Sequence, residues 1–301
     1  MKKIKVLLNP YSNRWNSQKR WLEAESALKG AGVDYDLSVA QRADQLVDLA
    51  ADAVKQGFTT IVAAGGDGTV SEVANGIAKV WDEKSAFPAT LGIMPLGSAN
   101  DLCFSLGLPS DLTEAAKVIA AGNIRKIDLG KCNDSYFVNN SAAGLEPYVT
   151  TKHERIHWIK GIARYLVAAV WAIMDKPEWN GKLTWDGGDY SGPLSLISIG
   201  NGRRTGGFFM TPHADLFDGK LTLAFGYRST RLGLFGALPR AFKEGEGSYV
   251  EMEGMREIHF TRLSIHLDQP SPAHTDGEIF DNWITDLEYQ IFPQTVAVIL
   301  P

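Results

Sequence analysis

The stretch that decides the fold is Thr59-Thr60-Ile61-Val62-Ala63-Ala64-Gly65-Gly66-Asp67-Gly68-Thr69-Val70-Ser71-Glu72-Val73. Its first residues form a short apolar run, rich in β-branched side chains, that reads as a buried strand. Gly-Gly-Asp-Gly-Thr follows, and Val70, Val73, Ala74 and Ile77 then recur at helical spacing. Strand, glycine turn and helix start together form the context in which backbone N–H groups converge on an anion. Three glycines permit positive φ and let the main chain approach a ligand with no Cβ in the way. Thr69 adds a hydroxyl at the helix entrance, and Asp67 adds an acceptor able to orient water or a metal ion. No Gly-Lys-Ser/Thr follows, so this is not a Walker loop, and the spacing is not that of a dinucleotide turn. The competing reading is a plain strand-to-helix turn. The sequence favours a phosphate-handling loop made by Gly65, Gly66, Asp67, Gly68, Thr69, Val70 and Ser71.

Outward from this loop, strand and helix signals alternate. Ile4–Leu8 reads as a strand broken by Asn9-Pro10, with a helix over about Gln18–Leu28 and a strand over Val33–Val39. A helix over about 43–55 stops at Gly57, and Val70–Val80 is a further helix before the strand Thr90–Met94. Such alternation predicts a parallel, helix-covered sheet whose ligands bind beyond the carboxyl ends of the strands. Asn9, Pro10 and the glycine loop lie at such ends. So does Pro95-Leu96-Gly97-Ser98-Ala99-Asn100-Asp101-Leu102, which brings a hydroxyl, an amide and a carboxylate but also reads as a helix-capping connector. Asp111 with Glu114 has the form of a capping box, opening a helix that ends at Gly122.

From about Ile127 the texture changes to short alternating runs at Tyr136–Ala142, Lys182–Trp185, Leu194–Ile199, Leu221–Gly226, Glu257–Phe260 and Leu263–Leu267. These predict an antiparallel, β-rich second domain, interrupted by one long helix over about Lys152–Met174. The expected boundaries are 1–127 for the α/β domain, with C-terminal residues able to return to it, and 128–301 for the second.

The chain has 301 residues, 45% hydrophobic and 22% charged, as in an ordinary globular protein of two domains. A net charge of -5 argues against a general nucleic-acid binder. Cys103 and Cys132 give neither a disulfide framework nor metal-ligand spacing, so a reducing compartment is expected. Met1-Lys2-Lys3 runs straight into a strand, which speaks against a signal peptide. The longest apolar stretch, Ile162 to Met174, is far short of the ~20 residues that a spanning helix needs. The expectation is a cytoplasmic protein, peripheral to a membrane at most.

Taken in order, Asn9-Pro10, Gly65-Gly66-Asp67-Gly68-Thr69, Leu96-Gly97-Ser98-Ala99-Asn100-Asp101 and Asp276-Gly277-Glu278 resemble the diacylglycerol kinase catalytic-domain family, most closely its bacterial soluble lipid kinases. The likeness extends through Ile199–Arg203 and Pro212–Gly219. It implies an α/β nucleotide-binding domain and a β-sandwich-like domain with a cleft between them, and ATP-dependent phosphorylation of a lipid hydroxyl in phospholipid biosynthesis. Carried over, Gly65–Ser71 and Ser98 hold ATP with Asn9 and Pro10, Asp101 and Asp67 serve the metal and phosphate network, and Glu278 is the general base. Mg²⁺ accompanies ATP. A structural Mg²⁺ or Ca²⁺ is implied at the Asp218 carboxylate and the carbonyls of Asp215 and Lys220, a donor set suited to a hard cation. Ser98 stands where the family favours threonine, Asn13 and Arg14 where small residues are common, and Phe217 where many relatives are polar. The lipid acceptor is expected at a membrane surface, and a homodimer is compatible with exposed sheet edges.

Phosphoryl transfer is mainly positioning and charge neutralisation, and a weakly acidic hydroxyl needs a positioned carboxylate to take its proton. By itself Asp276-Gly277-Glu278 also reads as a hairpin turn with a solvated glutamate. Arg203 and Arg204 suit either phosphate pairing or a plain surface loop. Basic and aromatic residues of Lys152–Lys160 beside the apolar run suit an anionic membrane surface or a helix that simply covers a sheet. His153-Glu154-Arg155-Ile156-His157 matches a zinc-peptidase pattern, but Pro177 beside Glu178 undermines a third ligand. Two further alternatives are an enzyme resembling NAD kinases, which share the glycine loop, and a non-catalytic nucleotide or lipid sensor.

Overall fold

The computed structural model describes residues 4–12, 16–42, 44–156, 158–159 and 162–301. Its elements run β1 (Ile4–Leu8), α1 (Asn16–Gly30), β2 (Tyr35–Val39), α2 (Gln45–Lys55), β3 (Thr60–Gly65), α3 (Asp67–Ala78), β4 (Thr90–Pro95), α4 (Asp101–Ser105), α5 (Leu112–Ala121) and β5 (Ile124–Cys132). Then follow β6 (Ser135–Phe137), β7 (Asn140–Gly144), α6 (Leu145–Glu154), α7 (Ile162–Asp175), β8 (Trp179–Trp185), β9 (Gly188–Leu194), β10 (Leu196–Gly200) and β11 (Leu221–Gly226). The chain ends with α8 (Arg231–Ala237), β12 (Met255–Phe260), β13 (Arg262–Ser271), β14 (Ala273–Thr275), β15 (Glu278–Ile279) and β16 (Ile284–Ile299).

The described residues fall into two compact units. The first holds those up to Leu129 together with Tyr136–Val138 and Phe292–Pro301; the second holds Gly130–Ser135 and Asn139–Ile291.

In the first unit, β2, β1, β3 and β4 lie side by side and parallel, with the end of β16 parallel to β4. Every residue of β3 is buried, as expected of a central strand covered on both faces. Val6, Leu8, Val62, Ala64, Met94 and Leu96 pack against Trp21, Ala24 and Leu28 of α1 and Leu112, Ala116 and Ile119 of α5. Helices α2 and α3 pack on one another and on β1 and β3. This is the α/β arrangement that the alternating signals predict.

The second unit is antiparallel. One sheet has the order β12-β11-β10-β7-β14-β15, and in the other β13 lies between β8 and the first half of β16, with β9 at the edge beyond β8. Rings of Trp185 and Tyr190 meet Phe225, with centroids 6.0 and 5.3 Å apart, so the two sheets share an aromatic layer. The expected single helix over Lys152–Met174 is corrected: α6 begins at Leu145, immediately after Gly144 at φ 83°, and stops at Glu154, before α7 starts.

Candidate active site

Three strand ends of the first unit build one rim. Asn9 donates its N–H to the Ala64 carbonyl at 3.0 Å, and its side-chain oxygen accepts the Tyr11 N–H at 3.0 Å, turning the chain sharply at Pro10. Gly65 accepts the N–H groups of Leu96 and Gly97 at 2.8 and 3.0 Å, which ties the glycine loop to the Ser98 loop. The two loops touch main chain to main chain. A Cβ on Gly97 would stand 2.4 Å from the Gly66 Cα and one on Gly66 3.2 Å from the Gly97 Cα, so position 97 leaves no room for a side chain and position 66 leaves little.

Helix α3 starts at Asp67 behind Gly66, which offers no side-chain cap. The first N–H groups of such a helix have no partner within it and carry the positive end of its dipole, so they suit a phosphate. Val70 and Ser71 are buried one turn along the helix. The Thr69 hydroxyl is corrected: it does not stand open at the helix entrance. It is buried without a hydrogen-bond partner, and a Cβ at Gly65 would lie 2.2 Å from it. Thr69 therefore enforces glycine at position 65.

Asp67 Oδ1 accepts the Leu102 N–H at 3.2 Å, reaching across to the start of α4. Burial raises the pKa of this carboxyl, opposed by backbone N–H groups of Leu102, Asp101, Asp67 and Asn100. Asp67 thus clamps the two loops together, beside buried Asp101 and Asn100 in the left-handed region at φ 48°. The same clustered carboxylates help burial push the Cys103 thiol to about 12, which keeps it inert.

In the second unit, Asp276 (φ 48°) and Gly277 (φ 88°) form the two-residue turn of the β14–β15 hairpin, with Thr275 opposite Glu278. Asp276 Oδ1 accepts the N–H groups of Asn139 and Asn140, both at 2.9 Å, and pins the turn to the start of β7. Glu278 is exposed on this fixed turn.

Asp215 and Asp218 each accept a backbone N–H two residues on, from Phe217 at 3.0 Å and Lys220 at 2.9 Å. Asp215, Asp218 and Lys220 are all exposed. Two carboxylates and turn carbonyls are oxygen donors of the type a hard cation takes. No group of three or more His, Cys, Asp or Glu side chains lies close enough to hold a metal among the described residues. Register puts Thr222, Gly200 and Asn140 level, and Thr275 level with Ser141. The strand that follows the Asp218 turn and the hairpin that bears Glu278 therefore share one end of one sheet.

The Arg203 guanidinium is held by the Ala214 carbonyl and Glu244, and Arg204 lies over the Phe209 ring. These contacts place both arginines in the loop that packs beside β10. In the peptidase-like pattern, His153 stacks on Tyr165, while His157 lies outside the described residues.

The sequence offered no sign of the apolar cavity in this unit. It encloses about 150 Å³ among Leu145, Val149, Ile173, Leu196, Phe208, Leu234 and Met255. A pocket of about that size has room for a benzene-sized apolar group. One end is polar. Glu146 Oε1 lies 3.3 Å from His274 Nε2, its other oxygen meets the Ser198 hydroxyl, and Gly277 also lines the wall. The cavity thus ends one residue short of Glu278.

Residues 3–132 match the model of the diacylglycerol kinase catalytic domain, and residues 139–300 match that of the YegS C-terminal NAD kinase β-sandwich-like domain. A probable lipid kinase, YegS-like, from Chromohalobacter salexigens is 33% identical over 203 residues, covering 67% of this chain and 64% of its own length. A Staphylococcus aureus diacylglycerol kinase is 28% identical over 275 residues, 89% of this chain and 85% of its own. A crystal structure of a diacylglycerol kinase from Bacillus anthracis superposes with a TM-score of 0.72 at 19% identity, covering 100% of this chain and 97% of that one, a likeness of fold. The resemblance carried by the glycine loop and the Asp-Gly-Glu turn is borne out: the chain belongs to the diacylglycerol kinase catalytic-domain family, with a YegS-type second domain, and is at that level a lipid kinase.

Proposed function

We propose that this chain transfers the γ-phosphoryl group of ATP to a hydroxyl of a diacylglycerol-like lipid drawn from a membrane surface. The observation that carries the reading is the apolar cavity that ends at His274 and Gly277, beside Glu278. A cavity lined in this way stabilises a hydrocarbon chain by burial and leaves the polar head at the turn.

On this reading the N–H groups of Gly66, Asp67, Gly68 and Thr69 hold the ATP phosphates, with Asn9, Pro10 and Ser98 on the same rim. Asp67 and Asp101 orient the metal–phosphate network, and Mg²⁺ when bound offsets the triphosphate charge that no Walker lysine neutralises. Asp215, Asp218 and Lys220 would hold a second, structural cation. Glu278 takes the proton of the acceptor hydroxyl as its oxygen attacks phosphorus, and ADP leaves. The glutamate sits on an otherwise rigid turn, so it is exposed to substrate while its backbone is fixed.

An NAD kinase-like activity is the second reading, since the second-domain family is itself named for its likeness to the NAD kinase β-sandwich. The apolar lining speaks for lipid over the polar NAD ribose. Incubation with γ-labelled ATP and Mg²⁺, against a total lipid extract and separately against NAD, decides between them. Label in a lipid, lost in Glu278→Gln with folding retained, is the expected result. Label in NADP alone overturns the lipid reading, and no label in either product leaves a non-catalytic sensor.

A further inference from the structure

Resting on the lipid-acceptor reading, we propose that Glu146 selects the acceptor: a lipid that carries a second hydrogen-bond donor, hydroxyl or ammonium, besides the hydroxyl that is phosphorylated. Glu146 belongs to the first turn of α6, where Leu145, Val149 and Thr150 share with it the helix face that lines the apolar cavity. Its side chain is only 11% exposed, and a carboxylate so enclosed needs donors. Asn140 Nδ2 at 3.4 Å and the Ser198 hydroxyl supply two, and His274 Nε2 stands 3.3 Å from Oε1. The two oxygens offer about four acceptor sites. Acceptor capacity is therefore left over on a side chain that lines the cavity. Arg228 also lines the cavity, but its Nη1 donates to the Glu253 carbonyl at 2.5 Å, and among the described residues it makes no ion pair with Glu146.

An enclosed acceptor discriminates by what it rejects. A hydroxyl or an ammonium donates to Glu146, and the ammonium adds charge attraction where water screens it poorly. An ester carbonyl or an ether oxygen has no hydrogen to give and sets its lone pairs against the carboxylate. Sites built to hydrogen-bond a substrate group reject analogues without it far more strongly than apolar pockets reject a missing methylene. Among diacylglycerol-like lipids, one whose reacting hydroxyl has only esterified neighbours is on this account the poorer acceptor. A Glu146 that merely served Ser198 and the first turn of α6 would be indifferent to these differences.

The test uses octanol and three derivatives that carry, on the carbon next to the hydroxyl, a hydroxyl, an ammonium or a methoxy group. Isothermal titration of the full chain measures their binding, and γ-labelled ATP with Mg²⁺ measures their phosphorylation, for the wild type and Glu146→Gln. In the wild type the diol and the amine should bind at least about tenfold tighter than the methoxy compound, with kcat/KM in the same order. Glu146→Gln keeps the shape and removes the charge, so the amine should lose at least about tenfold relative to octanol. A wild type that binds the methoxy compound as tightly as the diol and the amine overturns the proposal, and that comparison needs no variant. A loss in Glu146→Gln shared equally by all four compounds overturns it as well. Selective binding with no compound phosphorylated would remove the kinase reading and leave the role of Glu146 standing, whereas phosphorylation of all four at equal kcat/KM does the reverse.

Discussion

His274 Nε2 lies 3.3 Å from Glu146 Oε1, while Nδ1 of the same buried ring accepts the Gly277 N–H at 3.3 Å. Because Nδ1 accepts, the neutral ring carries its proton on Nε2, the nitrogen that faces the cavity carboxylate. The imidazole therefore links the cavity floor to the turn that bears Glu278. His274→Phe keeps a ring but removes both contacts, leaving the Gly277 N–H without its acceptor. Water can reach the N–H of the exposed Gly277, whereas the Glu146 carboxylate, 11% exposed, loses a polar neighbour in an apolar cavity, at about 1–3 kcal/mol. The expected outcome is a roughly tenfold or greater loss in kcat with little change in the KM for ATP, since ten-fold in rate corresponds to about 1.4 kcal/mol. Steady-state kinetics with the lipid acceptor check it. A variant with wild-type kcat would remove any positioning role for this ring.

The glycine loop gives a second test through packing. Gly65→Ala drives a methyl into Thr69, whose Oγ1, Cβ and Cγ2 would all lie within 2.6 Å. Backbone must then shift, at a cost of roughly 1–3 kcal/mol or more. Thr69→Val keeps the shape and removes a buried hydroxyl that has no partner, so it should leave stability unchanged or raise it by up to about 1 kcal/mol. In the Gly65→Ala/Thr69→Ala pair the clash is relieved, and the loss should be smaller than the sum of the single losses. Denaturant midpoints measure all four values. A large rise in the KM for ATP in Thr69→Val would show that the hydroxyl turns to the nucleotide, against the packing seen.

Local chemistry made much of this fold readable. Ile4–Leu8 forms β1 at its expected limits, and Asp111 accepts the Glu114 N–H at 2.9 Å to open a helix closed by Gly122 at φ 64°. Strand, cap and glycine signals depend on a few neighbours, which a sequence displays. The 16-residue β16 was not legible, because Pro293 and Gln294 interrupt its alternation. A distant partner makes that interruption tolerable: Gln294, at φ 46°, donates its N–H to Asp128 at 2.6 Å. Glu146 and His274 were equally hidden. They stand 128 positions apart and meet because β14 pairs with β7, with His274 opposite Ala142. No local pattern announces a contact that strand pairing alone creates. The Asp-Gly-Glu turn could be read as a hairpin, and the reason for Asp at 276 became apparent only with the β7 amides in place.

Glu72 supplies a pH test in the first unit. Its carboxylate accepts the Leu46 N–H at 3.3 Å, capping α2 from the side of α3. Burial raises its pKa to about 7, the Leu46 N–H opposes the shift, and Asp44 adds to it. A carboxyl raised in the folded state above its unfolded value near 4.5 favours the neutral form. Its cost to the fold is therefore absent below pH 4.5, grows as pH rises from there to 7, and is complete above 7, at about 3 kcal/mol as an upper bound. Glu72→Gln keeps an acceptor for Leu46 and removes the charge. It should raise Tm at pH 8, with the advantage shrinking steadily as pH falls toward 5. Thermal unfolding of both proteins at several pH values checks the slope, and a pH-independent difference would contradict the assignment.

The Asp276 clamp separates the architecture of the turn from its chemistry. Its Oδ1 serves two backbone N–H groups, and its own N–H goes to the Asn140 carbonyl at 2.7 Å. Asp276→Ala strands two amides in a buried place and also puts alanine at φ 48°, so it should cost more than about 2 kcal/mol. Asp276→Asn tolerates the left-handed backbone and retains a neutral oxygen acceptor, so most of that stability should return. Catalysis should follow the same order, with Asp276→Asn losing several-fold in kcat and Asp276→Ala far more, because both act only through the position of residue 278. Glu278→Gln should behave in the opposite way, with Tm within about a degree of wild type and kcat reduced by at least about a hundredfold, the low end of what a general base contributes. Measuring Tm and kcat on the same three proteins is decisive. If Glu278→Gln retains activity while Asp276→Asn loses it, the proton acceptor is Asp276 or another group near the turn, and the exposed glutamate is only the first residue of a strand.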